Sequence, residues 1–177
     1  MPAIAYEETY SKDDYYEWEG DWELIYGTPY AMSPSPMFGH QYISMKISRQ
    51  LDESLDNCSS CYALFETDVE FSEDTVVRPD CMVICYEPLE RLNRAPEIVF
   101  EIISKSSARR DEKLKFEIYQ DEGVKYYVLV YPNKAKVYKL EKNRYVKVGD
   151  FKDESYNFKI KKCNIDFNFN LIWKKQS

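Results

Sequence analysis

The sequence predicts a mixed α/β fold in which a central β-sheet is flanked by helices. Short apolar runs rich in β-branched residues and bounded by turn residues are typical of buried strands, and the clearest are 81–85 and 98–103. An amphipathic helix is indicated by apolar residues at every fourth position: Ile43, Ile47, Leu51 and Leu55. The length of 177 residues fits one domain, 1–177, with a single core.

The first third of the chain predicts a hairpin followed by a helix. Residues 1–20 are acidic and rich in tyrosine, and we expect an N-terminal arm or a short helix there. Gly27-Thr28 separates 22–26 from 29–32, which predicts an N-terminal β-hairpin. The helical pattern then spans 38–56.

The rest of the chain predicts strands around a second helix. Strands are expected over 61–66, 68–71, 125–130, 135–140 and 144–148, and a polar connection over 88–96. A helix is expected over 106–122, with Ser106 or Ser107 as its N-cap and Gly123 as its terminator. No element is predicted after Phe151.

Composition places the chain among soluble globular proteins, because 44% of its residues are hydrophobic and 31% are charged. No apolar run is long enough to cross a bilayer, and residues 1–14 lack the pattern of a secretion signal. We therefore expect a cytoplasmic protein with no membrane partner.

The net charge of −7 weakens a nucleic-acid partner without excluding it. Residues 1–23 contain eight acids against Lys12 alone, so the rest of the chain is neutral, with 23 acids and 23 bases. Within that remainder, 105–115 holds five basic residues and only two acids. This local basic excess follows directly after Glu101.

The five cysteines indicate thiols rather than disulfides, because the count is odd and no secretion signal precedes them. Cys58-Ser-Ser-Cys61 has the spacing of a metal site, but a structural zinc site needs two more ligands. Cys81 and Cys85 could supply them only by leaving a strand. We therefore expect small buried or near-surface thiols.

Two acids lie in or beside the buried strands. Asp80 follows Pro79 at the start of one apolar run, and Glu101 lies inside the next. A buried carboxylate is costly unless something pairs with it. Two acids on neighbouring strands, with Lys115 soon after, favour a hard divalent cation and phosphodiester hydrolysis. A buried ion pair of Glu101 with Lys115 or Arg110 is the structural alternative.

Lys115 is the lysine that the helical pattern turns toward these acids. It shares a helix face with Asp111 and Tyr119, whereas Lys113 lies about 200° away around the helix and faces solvent. An ammonium near a metal-bound phosphate can offset developing charge or orient the attacking water.

The order of several motifs resembles that of the PD-(D/E)XK nuclease superfamily and, more narrowly, the Uma-two family of restriction endonucleases. The matching parts cover most of the chain: Trp22 to Gly27, Met32-Ser33-Pro34, His40-Gln41, Arg78-Pro79-Asp80, Glu101 to Ser104, Asp111, Lys115, Tyr119 and Gly123 to Tyr127. The resemblance implies a restriction-endonuclease-like core. It also implies Mg²⁺ or Mn²⁺ as cofactor, with no organic cofactor.

The same resemblance implies roles for four residues. Asp80 and Glu101 would bind the metal, Glu23 matches an N-terminal acid that can complete the metal site, and Lys115 would be the catalytic lysine. The superfamily places its lysine two residues after the acid, where this sequence has Ile103. Glu23 can equally be a surface strand residue that faces water, and His40 is more typical of a capping or packing residue.

The leading functional hypothesis is a DNA endonuclease that uses a Mg²⁺-activated water. One alternative is a binding or assembly protein that keeps the fold without cleaving. Another is a nuclease that acts on RNA or on a branched structure. A homodimer is expected if both strands of a duplex are cut, because this requires two sites.

Overall fold

The computed structural model describes residues 8–33 and 37–175. The strands within these residues form three sheets. The first seven residues of the predicted N-terminal arm lie outside this range. The strands, in chain order, are β1 Trp22–Ile25, β2 Thr28–Ala31, β3 Tyr62–Phe65, β4 Val69–Ser72, β5 Thr75–Val77, β6 Cys81–Ile84, β7 Ile98–Ile102, β8 Tyr126–Val130, β9 Ala135–Glu141, β10 Arg144–Phe151, β11 Ser155–Ile160 and β12 Cys163–Asn168. The α-helices are α1 Lys12–Glu17, α2 Phe38–Ser54 and α3 Lys115–Asp121.

The central sheet has six strands in the order β10-β9-β8-β7-β6-β3. Strands β7 and β8 pair in parallel, while the remaining neighbours in this sheet are antiparallel. A second sheet has the order β2-β1-β5-β4, and β11 pairs with β12 alone. The expected mixed α/β fold with an N-terminal β-hairpin is confirmed.

Strands β6, β7 and β8 are buried at every position, because both faces of the central sheet are covered. On one face, Phe100 packs with Phe158 and Phe167 of the β11–β12 hairpin, at ring-centroid distances of 5.9 and 5.1 Å. On the other face, Val99 belongs to a cluster that includes Tyr119 of α3. This two-sided burial explains why these strands are continuous apolar runs instead of alternating ones.

Helix α2 and the residue that follows it place in the core the apolar positions that predicted the helix. Ile43, Ile47, Leu51 and Leu55 are all buried in the cluster that includes Phe100. The sequence therefore predicted this helix correctly, within two residues of its C-terminal end.

The segment after β7 is helical, but it is less regular than predicted. A single π-helical stretch, Arg110–Leu114, leads into α3, where a regular α-helix from 106 was expected. Asp111, Lys115 and Tyr119 are buried, whereas Lys113 is exposed, as the helical pattern predicted. Gly123 ends the helix with φ at +82°, a conformation that glycine adopts without strain.

Three strands were not predicted. Strand β5 follows a two-residue turn and joins β4 to β1, and the β11–β12 hairpin occupies the tail that had no assignment. Within the described residues, no helix has the length and apolar character needed to cross a membrane.

The expectation of separate thiols is wrong for four of the five cysteines. The sulfur of Cys58 lies next to that of Cys163 and the sulfur of Cys61 next to that of Cys85, and each pair is close enough for a disulfide. Strand pairing brings Cys61 to Cys85, and packing of the β11–β12 hairpin brings Cys163 to Cys58, so spacing along the chain could not reveal these neighbours. Cys81 is free and buried.

Candidate active site

Asp80 and Glu101 lie at the same end of two neighbouring antiparallel strands. Cys81 faces Phe100 across β6 and β7, so continuing that register places Asp80 opposite Glu101. Oδ2 of Asp80 accepts a hydrogen bond of 2.7 Å from the backbone N–H of Ile102. The structure thus brings together the two acids that the sequence singled out.

Glu101 is 3% exposed and is held by two side chains from α3. Nζ of Lys115 lies 2.6 Å from Oε1 of Glu101, and the hydroxyl of Tyr119 donates to the same oxygen at 2.9 Å. Burial raises the pKa of Glu101 well above its ordinary value, although the positive charge of Lys115 opposes this. Nearby acids, including Asp111 and Asp80, raise the pKa further.

Lys115 is 2% exposed and lies among three carboxylates. Besides Glu101, its Nζ is 2.9 Å from Oε2 of Glu23 and 3.6 Å from Oδ1 of Asp111. Burial by itself would lower the pKa of Lys115, but the carboxylates of Glu101, Glu23 and Asp111 outweigh it and keep the pKa well above its ordinary value. The lysine is therefore charged at neutral pH.

Glu23 of β1 brings the second sheet to this cluster. It is 2% exposed, so the alternative of a surface residue facing water is wrong. Its Oε2 accepts a 2.8 Å hydrogen bond from the backbone N–H of Arg78, and its Oε1 lies 3.0 Å from a guanidinium nitrogen of Arg110. Both oxygens of Glu23 are therefore engaged by the protein.

Arg110 is a site residue whose part the sequence reasoning missed, and Asp111 joins the site on the Lys115 face where the helical pattern placed it. Arg110 was named only as a possible partner of Glu101, and the structure pairs it with Glu23 instead. Its Nε is buried without a hydrogen-bond partner among the described residues. Burial raises the pKa of Asp111 to about 6, although Lys115 acts against this. The local basic excess over 105–115 was the available signal for Arg110.

His40 lies against Asp80 rather than only packing near a helix start. Its Nε2 is 3.3 Å from Oδ1 of Asp80, and this contact is the main cause that raises the pKa of His40. Because Oδ2 accepts from Ile102 N–H, both oxygens of Asp80 have a neighbour. His40-Gln41 was one of the motifs behind the family resemblance, which was the available signal.

The cluster contains more acids than bases. Four carboxyl groups, of Glu23, Asp80, Glu101 and Asp111, share it with Lys115, Arg110 and His40, and Asp80 contacts His40 rather than either permanent cation. Crowded buried carboxyl groups favour uptake of a proton, as the raised pKa values of Glu101 and Asp111 indicate, or of a further cation. Within the described residues, the carboxylates do not form a compact set of three metal ligands, so the pair of Asp80 and Glu101 is what the fold offers. Magnesium usually takes one or two protein carboxylates and fills its other positions with water and phosphate.

Comparisons with known proteins agree with this fold. The sequence profile of the Uma2 family, described as "Putative restriction endonuclease", matches residues 12–156. A crystal structure of a "putative nuclease belonging to DUF820" from Anabaena variabilis superposes with a TM-score of 0.75 at 15% identity, over 92% of this chain and 97% of that chain. No protein of curated function matches the sequence. The structural likeness confirms the predicted nuclease-type fold.

Proposed function

We propose that this chain, which belongs to the Uma2 family of restriction endonucleases, is a metal-dependent enzyme that hydrolyses phosphodiester bonds in DNA. The observation that carries the proposal is the arrangement at one end of the central strands β6 and β7. Asp80 and Glu101 face each other there, and a charged lysine lies 2.6 Å from Glu101. Exposed Lys105 and Arg109 follow β7 directly and offer contacts for a phosphate backbone.

The residues present fit a hard divalent cation. Asp80 and Glu101 would hold Mg²⁺ or Mn²⁺, which matches the carboxylate oxygens that these ions prefer. When bound, the ion would polarise the scissile phosphate and lower the pKa of a coordinated water. The crowding of four carboxyl groups supports this assignment, because a divalent cation would relieve their mutual repulsion.

The other residues have roles that follow from their contacts. We assign Lys115 to stabilising charge on the phosphate or orienting the attacking water, since its ammonium touches Glu101. Glu23 could complete the metal site, as expected from the resemblance. Because its two oxygens pair with two permanent cations, Lys115 and Arg110, we assign it first to positioning them.

Plasmid nicking with Mg²⁺ or Mn²⁺ tests the proposal. Asp80→Asn and Lys115→Met should each lower the rate by at least about 10²-fold, in line with the loss of one preorganised catalytic group. Asp166→Asn and Lys113→Met are the matched controls, because both positions are exposed, and they should cut at the wild-type rate. Equal cutting by wild type and Asp80→Asn would refute the assignment.

The catalytically silent alternative has one observation in its favour. Glu101 and Lys115 are almost fully buried and satisfy each other, as in a structural ion pair. Thermal melts with Mn²⁺ separate the two functions, since a ligand at 100 times its Kd adds about 2.7 kcal/mol of stability. Stabilisation of wild type but not of Asp80→Asn, together with cleavage, supports the nuclease. Absence of both supports the silent protein, and cleavage of RNA or branched DNA alone would change the substrate.

A further inference from the structure

Four cysteines from distant parts of the chain meet at one place. Cys58 and Cys61 lie between α2 and β3, Cys85 directly follows β6, and Cys163 begins β12. The Sγ atoms of Cys58, Cys61 and Cys163 all lie within 4.8 Å of one another, and Cys85 is adjacent to Cys61. The fifth cysteine, Cys81, stands apart and contacts the hydroxyls of Ser44 and Ser48.

The backbone alone accounts for this convergence. Antiparallel pairing of Tyr62 with Ile84 makes Cys61 and Cys85 cross-strand neighbours, with Cα atoms 4.0 Å apart. Close pairs in antiparallel sheets have Cα atoms about 4.5 Å apart without any covalent link. The turn after α2 holds Cys58, whose N–H donates to the carbonyl of Leu55 at 2.9 Å. The β11–β12 hairpin, packed on the core through Phe158, then delivers Cys163.

We propose that Cys58, Cys61, Cys85 and Cys163 form a structural tetrathiolate site for Zn²⁺. A closed set of four protein ligands is characteristic of structural zinc, and Cys-x-x-Cys is a common half of such a site. Binding removes the four thiol protons and forms four Zn–S bonds, with no change in oxidation state. Cys85 and Cys163 supply the second half, a combination that the spacing along the chain does not reveal.

The surroundings suit a zinc tetrathiolate, which carries a net charge of −2. The hydroxyl of Ser60 lies 3.8 Å from Sγ of Cys58 and 3.9 Å from Sγ of Cys163, close enough to donate to either sulfur. The ammonium of Lys161 donates to the carbonyl of Cys85 at 3.2 Å and also lies 3.6 Å from a carboxylate oxygen of Glu97, so it holds the backbone at Cys85. Such outer contacts orient ligands. A surface cleft lined by Cys58 and Cys61 gives a metal an entry path.

The site is separate from the proposed catalytic one. Cys85 and Asp80 lie at opposite ends of β6, about 17 Å apart at the rise of an extended strand. The zinc would therefore act on the fold, by joining the end of α2 to the β11–β12 hairpin and to the central sheet. Two disulfides would use the same four sulfurs, so the oxidation state of the thiols is the deciding measurement.

The test uses the full chain expressed in a reducing cytoplasm and purified with and without a thiol reductant. Elemental analysis should find one zinc per chain. Intact mass after alkylation in denaturant with a chelator should show five alkylated thiols. Cys163→Ser should lose the zinc, and Cys81→Ser, the matched control, should keep it. A cobalt titration of the reduced, metal-free wild type should give the visible bands of a tetrahedral thiolate complex.

Two results would overturn the proposal. One is a protein with no zinc whose four cysteines resist alkylation until they are reduced, which would identify two disulfides. The other is a protein with five free thiols that binds neither zinc nor cobalt. If Cys163→Ser fails to fold, the zinc content and the cobalt spectrum of the wild type still decide. Neither result depends on plasmid nicking, so the zinc site and the proposed nuclease function are tested independently.

Discussion

Replacing Lys115 by methionine tests how the buried charges support the fold. The lysine is 2% exposed and its ammonium contacts Glu101 at 2.6 Å and Glu23 at 2.9 Å. Methionine keeps much of the side-chain volume but removes the charge. The variant leaves Glu101, Glu23 and Asp111 buried with only Arg110 nearby.

The expected cost follows from these contacts. An ion pair near 3 Å at an effective dielectric constant of about 20 is worth roughly 5 kcal/mol before desolvation. The lysine no longer has to be desolvated, and some carboxylates take up protons, so the net cost is smaller. Breaking a buried pair costs about 3–5 kcal/mol. A domain of this size loses about 2–4 °C of Tm per kcal/mol, so we expect a drop of roughly 6–20 °C.

Urea denaturation followed by circular dichroism is the assay, with Lys113→Met as the matched control. Lys113 lies on the same helical segment and is exposed, so its replacement should change the free energy of unfolding by no more than about 0.5 kcal/mol. A Lys115→Met variant that is as stable as the control would refute the view that the buried network depends on this ammonium.

Three further substitutions have defined outcomes. Leu51→Ala removes a side chain of zero exposure and should cost about 2–5 kcal/mol in urea denaturation, whereas Met45→Ala on the exposed face of the same helix should cost less than about 0.5 kcal/mol. Gly123→Ala should cost about 1–2 kcal/mol by the same measurement, because φ is +82° with free space around a Cβ; Gly39→Ala, equally uncrowded and without a positive φ, should be neutral or slightly stabilising. For Asp111, whose pKa is raised to about 6, folding takes up protons, so stability falls as the pH rises from about 4 to 6. Asp111→Asn should flatten that slope, and an unchanged slope would contradict the shift.

Local patterns were enough to predict most of the fold. The fourfold spacing from Ile43 to Leu55 and the apolar runs of β6 and β7 identified α2 and the central strands. Strand β5 was not predicted because three residues, Thr75–Val77, are too few to establish an alternation of apolar and polar side chains. The β11–β12 hairpin was not predicted because its many lysines and asparagines obscure the alternation of its buried residues, which are Phe158, Ile160, Ile165 and Phe167.

The candidate site was predictable only in part, for a similar reason. Asp80 and Glu101 stood out because each is a charge beside or inside an apolar strand, and the helical period oriented Lys115. The partner of Arg110 is Glu23, which lies 87 positions earlier in the sequence. No local pattern contains such a contact, since it depends on how the four-stranded sheet of β2, β1, β5 and β4 packs on the central sheet. The same limit concealed the convergence of the cysteines.

The packing of the four-stranded sheet on the central sheet has a consequence for how the protein unfolds. Glu23 belongs to the four-stranded sheet, yet its carboxylate contacts Lys115 and Arg110, which lie over the central sheet. Its strand neighbour Ile25 shares an apolar cluster with Val99 of β7. Separating the two sheets would therefore expose apolar surface and an unpaired lysine together. The N-terminal hairpin should unfold as one cooperative unit with the central strands, and not fray as an independent appendage.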